Sequence, residues 1–124
     1  MRSHYASDGV RPLIISEIIS FPEDVDICNS RRLGRQLRAA FAQDVDFVVA
    51  DMTDTEFCDS SGMRQLLLAH REAVASNREL RLVLNSRAVR RALNLSGFDQ
   101  LLNVYSSMRE ALEGAARRAE EPCR

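Results

Sequence analysis

The chain has 124 residues, 45% of them hydrophobic, and a formal net charge of −1. That suits one domain with one core, gives the whole molecule no electrostatic pull toward nucleic acid, and includes no apolar run long enough to span a membrane. All 17 basic side chains are arginine, which excludes a P-loop lysine, a Schiff-base lysine and a lysine general base.

Residues 1–11 are polar and without a clear period, so a flexible tail with at most a short edge strand is expected there. Leu13 to Phe21, rich in isoleucine, predicts a strand that ends at Pro22-Glu23-Asp24. Asp26, Asn29 and Ser30 are candidate caps for a helix in which Leu33, Leu37 and Phe41 fall on one stripe. Asp46 to Met52 reads as a central strand buried on both faces. A helical pattern from Met63 to Ala75 puts Met63, Leu66, Leu67 and Val74 on one side, and Leu80 to Leu84 predicts another strand.

Ser86 can cap a short helix carrying Val89, Ala92 and Leu93, with Gly97 as its stop. Asn103 to Tyr105 fits a last short strand. Ser107 and Glu110 have capping-box spacing before a final apolar face of Met108, Ala111, Leu112 and Ala115. Alternating strands and helices predict one α/β domain over residues 12–115, with a mixed sheet parallel at its centre and about four helices. Residues 116–124 read as a charged, frayed tail.

The segment that looks like chemistry is Asp59-Ser60-Ser61-Gly62, at the hand-over from strand to helix. Unpaired N–H groups and the positive end of the helix dipole meet there, which suits a phosphate. Ser60 can cap the helix, or Asp59 can cap it and leave Ser60 exposed; Ser61 is the neighbouring hydroxyl, and Gly62 suits close approach.

Catalysis finds little support. His70 lies ten residues beyond Ser60, about 15 Å along a helix, too far to act as its base. Asp51, Asp54 and Asp59 cluster at a strand end, where a carboxylate can take a phosphoryl group or bind Mg²⁺. A phosphoryl-transfer receiver would also need the missing lysine, and turn chemistry accounts for Asp51 and Asp54. Arg87, Arg90, Arg91 and the pair Arg117-Arg118 read as solvated faces, with no interleaved aromatics for nucleic acid. Cys28, Cys58 and Cys123 are odd in number and lack metal-ligand spacing, which reads as three free thiols in a reducing compartment, with Cys58 packed. No secretory pattern appears, so a cytoplasmic protein is expected, without cofactor or metal.

Val48-Val49-Ala50-Asp51-Met52 through Phe57-Cys58-Asp59-Ser60-Ser61-Gly62-Met63 resembles the strand and Asp-Ser-Ser/Thr-Gly-Leu signature of the STAS domain, in particular of bacterial anti-sigma factor antagonists. Leu80-Arg81-Leu82-Val83, Val89-Arg90-Arg91-Ala92-Leu93, Leu95-Ser96-Gly97-Phe98 and Ser106 to Leu112 are similar to its later blocks, in order. The resemblance covers about Leu13 to Gly114. It implies a partner switch: the bare antagonist binds an anti-sigma factor that is also a serine kinase, and phosphorylation of the serine after the signature Asp breaks the complex. By position that serine is Ser60, with Ser61 second; Asp59 is its recognition neighbour, Asp26 an acid near the kinase, and Gly62 and Met63 complete the implied partner-binding set. A phosphatase is a further implied partner. Phe21-Pro22-Glu23-Asp24-Val25-Asp26 departs from the family's Gly-Glu-Leu-Asp, and Met63 replaces its leucine. A non-switching scaffold, in which the serine only caps the helix, is the alternative reading.

Overall fold

The computed structural model describes residues 14–120, with side chains for residues 14–114. In chain order it contains β1 (Ser16–Ser20), β2 (Asp24–Val25), α1 (Ser30–Phe41), β3 (Phe47–Met52), β4 (Phe57–Cys58), α2 (Ser60–Ala75), β5 (Glu79–Leu84), α3 (Arg87–Ser96), a 3₁₀ turn at Phe98–Gln100, β6 (Asn103–Tyr105) and α4 (Met108–Glu120). The edge strand considered for residues 1–11 and the residues beyond Glu120 lie outside the described part. Helix α4 runs on past residue 115, the domain end expected from the sequence.

Four strands form one sheet in the order β1-β3-β5-β6, and β2 pairs with β4 in a separate two-residue ladder. Every pairing among the described residues is parallel: Ser16 lies beside Phe47, Val48 beside Leu80, and Leu82 beside Val104. Each crossover steps one strand in the same direction. Because such crossovers are right-handed, α1, α2 and α3 all land on one face of the sheet. Helix α4 follows the last strand and covers the other face.

Period-2 alternation divides the strands between the two faces. Val48, Ala50 and Met52 of β3 and Leu80, Leu82 and Leu84 of β5 meet Leu33 and Leu37 of α1, Met63, Leu66, Ala69 and Ala73 of α2, and Val89 and Leu93 of α3. Each fully buried leucine in this layer contributes about 1.5–3 kcal/mol. The second face is smaller: Phe47, Val49, Val83 and Tyr105 pack with Ala111 of α4.

The expected stripes need two corrections. Val74 is 57% exposed and Leu112 is 44% exposed, so neither faces the core. On α2 the buried residues are Gly62, Met63, Leu66, Ala69 and Ala73, and the small ones let that helix lie close to the sheet and to α1. On α4 the sheet-facing positions are Ala111 and Gly114, where a Cβ on Gly114 would come 2.3 Å from the Tyr105 ring. The side chain of Ala115 is outside the described set. The caps on α3 follow expectation: the Ser86 hydroxyl accepts from Val89 N–H, and Gly97 is left-handed at φ 83. At α4 the Ser107 hydroxyl accepts from Glu110 N–H, while the Glu110 carboxylate reaches the N–H of Ser106 instead of Ser107.

One cation sits inside the second face. Arg81 is 5% exposed. Its guanidinium stacks 3.6 Å from the Phe47 ring centroid, its Nε pairs with Glu79 at 2.7 Å, and its Nη1 donates to the carbonyl of Ala111 at 2.7 Å. A buried charge is tolerated only when paired and hydrogen-bonded, and here the pairing ties α4 to the sheet. Arg81→Ala should therefore lower unfolding free energy by about 1.5–3 kcal/mol, the usual worth of a hydrogen bond from a charged group, because the tie between the sheet and the Ala111 carbonyl is lost. Urea unfolding measures the loss. Hydrogen exchange of the α4 amides should accelerate with it, and unchanged α4 protection would disprove the tie.

Candidate functional site

Two loops at the same end of the sheet are stitched together by the β2–β4 ladder. Asp24 lies beside Phe57 and Val25 beside Cys58. The ladder continues outward: Glu56 N–H donates to the carbonyl of Glu23 at 2.8 Å, and Asp59 N–H to that of Val25 at 3.0 Å. The fully buried Thr55 hydroxyl donates to the carbonyl of Pro22 at 2.8 Å. The polar connection after β3 is thereby held against the segment after β1, and Asp26-Ile27 comes next to Asp59-Ser60.

Asp26 shapes the entry to α1. Its carbonyl accepts from the N–H groups of Asn29 and Ser30, and its carboxylate accepts from Cys28 N–H at 2.9 Å. Asn29 occupies the cap position but makes no side-chain cap bond; its amide bridges Asp26 N–H and the Asp24 carbonyl instead. The first turn of α1 holds no acid.

Asp59 caps α2. One carboxylate oxygen accepts from Ser61 N–H at 2.9 Å, Gly62 N–H at 3.1 Å and the Ser61 hydroxyl at 2.6 Å. The Ser61 hydroxyl bond is the main reason its pKa lies below the ordinary aspartate value. Partial burial opposes that shift, and the N–H groups of Gly62, Ser61 and Ile27 reinforce it. The capping role weighed for Ser60 thus falls to Asp59. Ser60 is exposed, and its hydroxyl makes no hydrogen bond among the described residues. Ser61 is half-buried and already engaged.

Gly62 and Met63 do not face outward. A Cβ on Gly62 would stand 2.6 Å from a Val25 methyl and 2.7 Å from the Cys58 sulfur. Met63 is 7% exposed and belongs to the core. Both expected partner-binding residues act by setting where α2 begins, because the ladder and the sheet occupy the space beside them. The Cys58 thiol is pushed up to about 12, first by burial and then by the Asp59 charge, so it stays protonated at neutral pH.

The remaining candidates scatter. His70 is half-buried, its Nδ1 has no partner among the described residues, and burial with Arg71 lowers its pKa against the pull of Glu79. It sits on the unbroken helix α2, far from Ser60. The Asp51 carboxylate accepts from the N–H and hydroxyl of Thr53, which is turn chemistry, and Asp54 is exposed. Among the described residues no group of three His, Cys, Asp or Glu is placed to hold a metal. No described helix is long and apolar enough to cross a membrane.

The structure adds neighbours that periodicity did not reveal. Ile27 is 78% exposed and Phe57 52% exposed, two large apolar side chains, one just after β2 and one on its ladder partner β4. A cleft of about 450 Å³ between the starts of α1 and α2 is lined by Ile27, Ser30, Arg31, Ser61, Arg64 and Gln65. The sequence signal for Arg64 was its i+4 spacing from Ser60. Nothing local marks Arg31, which arrives from another helix.

The family model of the STAS domain matches residues 8–111. The anti-sigma-F factor antagonist RsfB of Mycobacterium tuberculosis is 24% identical over 97 residues, covering 78% of this chain and 79% of that protein. Among solved structures, an anti-sigma factor antagonist from Mycobacterium paratuberculosis superposes with a TM-score of 0.71 at 23% identity, over 80% of this chain and 84% of that one. The Thermotoga maritima protein TM1081 gives 0.68 at 20% identity, over 85% and 92%.

The cap makes a pH-dependent prediction. Asp59→Ala should cost about 0.5–2 kcal/mol at neutral pH. Because the folded carboxyl ionises below its unfolded value, the aspartate's contribution is complete above the unfolded pKa of about 3.9. It is lost as pH falls through the lower folded value. The two unfolding curves should therefore converge in acid, and a gap that stays constant down to pH 2 would mean that the carboxylate is not the source.

Proposed function

The chain belongs to the STAS domain family, and on that footing we propose that it is a cytoplasmic anti-sigma factor antagonist that works as a phosphorylation-controlled partner switch. Unmodified, it binds an anti-sigma factor that is also a serine kinase and so releases a sigma factor. Phosphorylation of Ser60 ends the complex, and a phosphatase restores it. The chain itself is a substrate and a binding module, with no catalytic residue assigned.

The observation that carries this reading is the division of labour at the start of α2. Asp59 does the capping, so the Ser60 hydroxyl is left exposed and uncommitted. A serine in that position can be modified without unmaking the helix. The scaffold alternative gives the serine the cap, whereas here Asp59 supplies it. Ser61 is the poorer acceptor, because its hydroxyl is already given to Asp59. Ile27 and Phe57 provide exposed apolar surface on the β2–β4 side for a partner to cover.

The energetics suit a switch. A phosphoryl group brings about −1.5 to −2 charges. The helix N-terminus returns about 0.3–1 kcal/mol, so the fold tolerates it. A partner packed on the neutral hydroxyl would have to bury that charge. A penalty of about 4 kcal/mol weakens binding roughly a thousandfold.

Calorimetry with the anti-sigma factor partner, together with phosphopeptide mapping after incubation with it and ATP, tests the proposal. Ser60→Ala should bind as the unmodified chain does and take up no phosphate, whereas Ser60→Asp should bind at least tenfold more weakly. Equal affinities for the two variants, or phosphate found only on Ser61 or on a carboxylate, would overturn the assignment.

A further inference from the structure

The cleft between α1 and α2 has chemistry that the proposed function leaves unassigned. Arg31, in the first turn of α1, and Arg64, in the second turn of α2, both line it. Neither guanidinium makes an ion pair or hydrogen bond with any described residue. That is unusual company for an acidic protein with two carboxylates close by. Asp26 and Asp59 are turned into their own loops, where Cys28 N–H and the Ser61 hydroxyl occupy them. The cleft thus keeps two unspent cations and the positive ends of two helices, α1 without a side-chain cap bond and neither with an acid in its first turn.

Ser60 directly precedes the cleft-lining Ser61. Arg64 lies four residues further along the same helix, on the face that Ser60 shares. Ser61, one residue on, already forms part of the wall. A phosphoryl group on Ser60 has free rotation because its oxygen is uncommitted. Paired guanidiniums are the preferred receivers of such a dianion.

We propose that Arg31 and Arg64 hold the phosphoryl group of phosphorylated Ser60 in the α1–α2 cleft, as a latch within the chain itself. This rests on the reading of Ser60 as the modified serine. No covalent step is added: the phosphoserine ester stays intact and exchanges water for two guanidiniums. The latch bridges the two helices and lies beside Ile27, so modification closes the cleft as well as adding charge. The phosphorylated form then becomes a defined surface, one that a phosphatase can recognise by the occupied cleft.

The test uses the full chain with phosphoserine inserted at position 60 during translation, so that no kinase is required. ³¹P NMR over pH 4–8 should give a second phosphate ionisation at least half a pH unit below that of a phosphoserine peptide, which lies at about 6. Arg31→Gln with Arg64→Gln should return it at least halfway to the peptide value, each single change giving part of the effect. Thermal unfolding should show the phosphorylated chain melting above the unmodified one, and the double variant should lose that gain. A titration matching the peptide, or a shift and melting gain that persist in the double variant, would overturn the latch. Phosphoserine inserted at 61 should lower the melting point by displacing the Asp59 cap; an arginine-dependent shift there and none at 60 would also overturn it. Because the phosphate is installed independently, failure here leaves the kinase mapping of Ser60 untouched, and failure of that mapping leaves this result standing.

Discussion

A two-residue parallel ladder governs everything at the site. The pairing of Val25 with Cys58, extended by the Asp59 N–H to Val25 carbonyl bond, fixes two loops that the sheet alone would leave independent. Gly62 then lets α2 start directly against that ladder, since any side chain there would strike Val25 and Cys58. The position of Ser60, the direction of Ile27 and the width of the α1–α2 cleft all follow from this contact. Its energetic cost is small because both loops satisfy their backbone groups through it, as a buried or half-buried loop must.

Around that contact the fold is economical. Three crossovers of one hand stack three helices on one face, and a single helix closes the other. The thinner face needs an anchor, which Arg81 supplies by stacking on Phe47 and reaching the Ala111 carbonyl. The site lies away from that anchor, at the end of the sheet where β2 and β4 meet. The candidate site therefore consists of loops and helix starts, while the two hydrophobic layers provide rigidity.

The start of α2 separates two jobs that a single serine is often asked to do. A capping hydroxyl is committed to the backbone, and phosphorylating it would remove the cap. Here a carboxylate holds the N–H groups, so the adjacent hydroxyl carries no structural load. Arg31 and Arg64, without an ion-pair partner among the described residues, line the cleft beside it.

Much of this was legible in the chain itself. Isoleucine and valine runs predict the strands, Leu33, Leu37 and Phe41 lie on a real buried stripe, and Ser86, Gly97 and Ser107 act as the cap and stop signals say. Those features are local, set by periods of 2 and 3.6 and by side chains bonding to nearby backbone. The Asp59-Ser60-Ser61-Gly62 signature is local too, and it marks the start of α2. What required the tertiary structure was every relation between distant segments. A two-residue strand is too short to show a period, so β2 and β4 left no trace in the sequence pattern. Val74 and Leu112 fit an apolar stripe yet face solvent, because helix rotation is set by what packs closest, and small residues won. Which of Asp59 and Ser60 caps α2, and the sharing of one cleft by Arg31 and Arg64, depend on hydrogen-bond geometry and on two helices brought together by the core. Spacing along the chain contains neither.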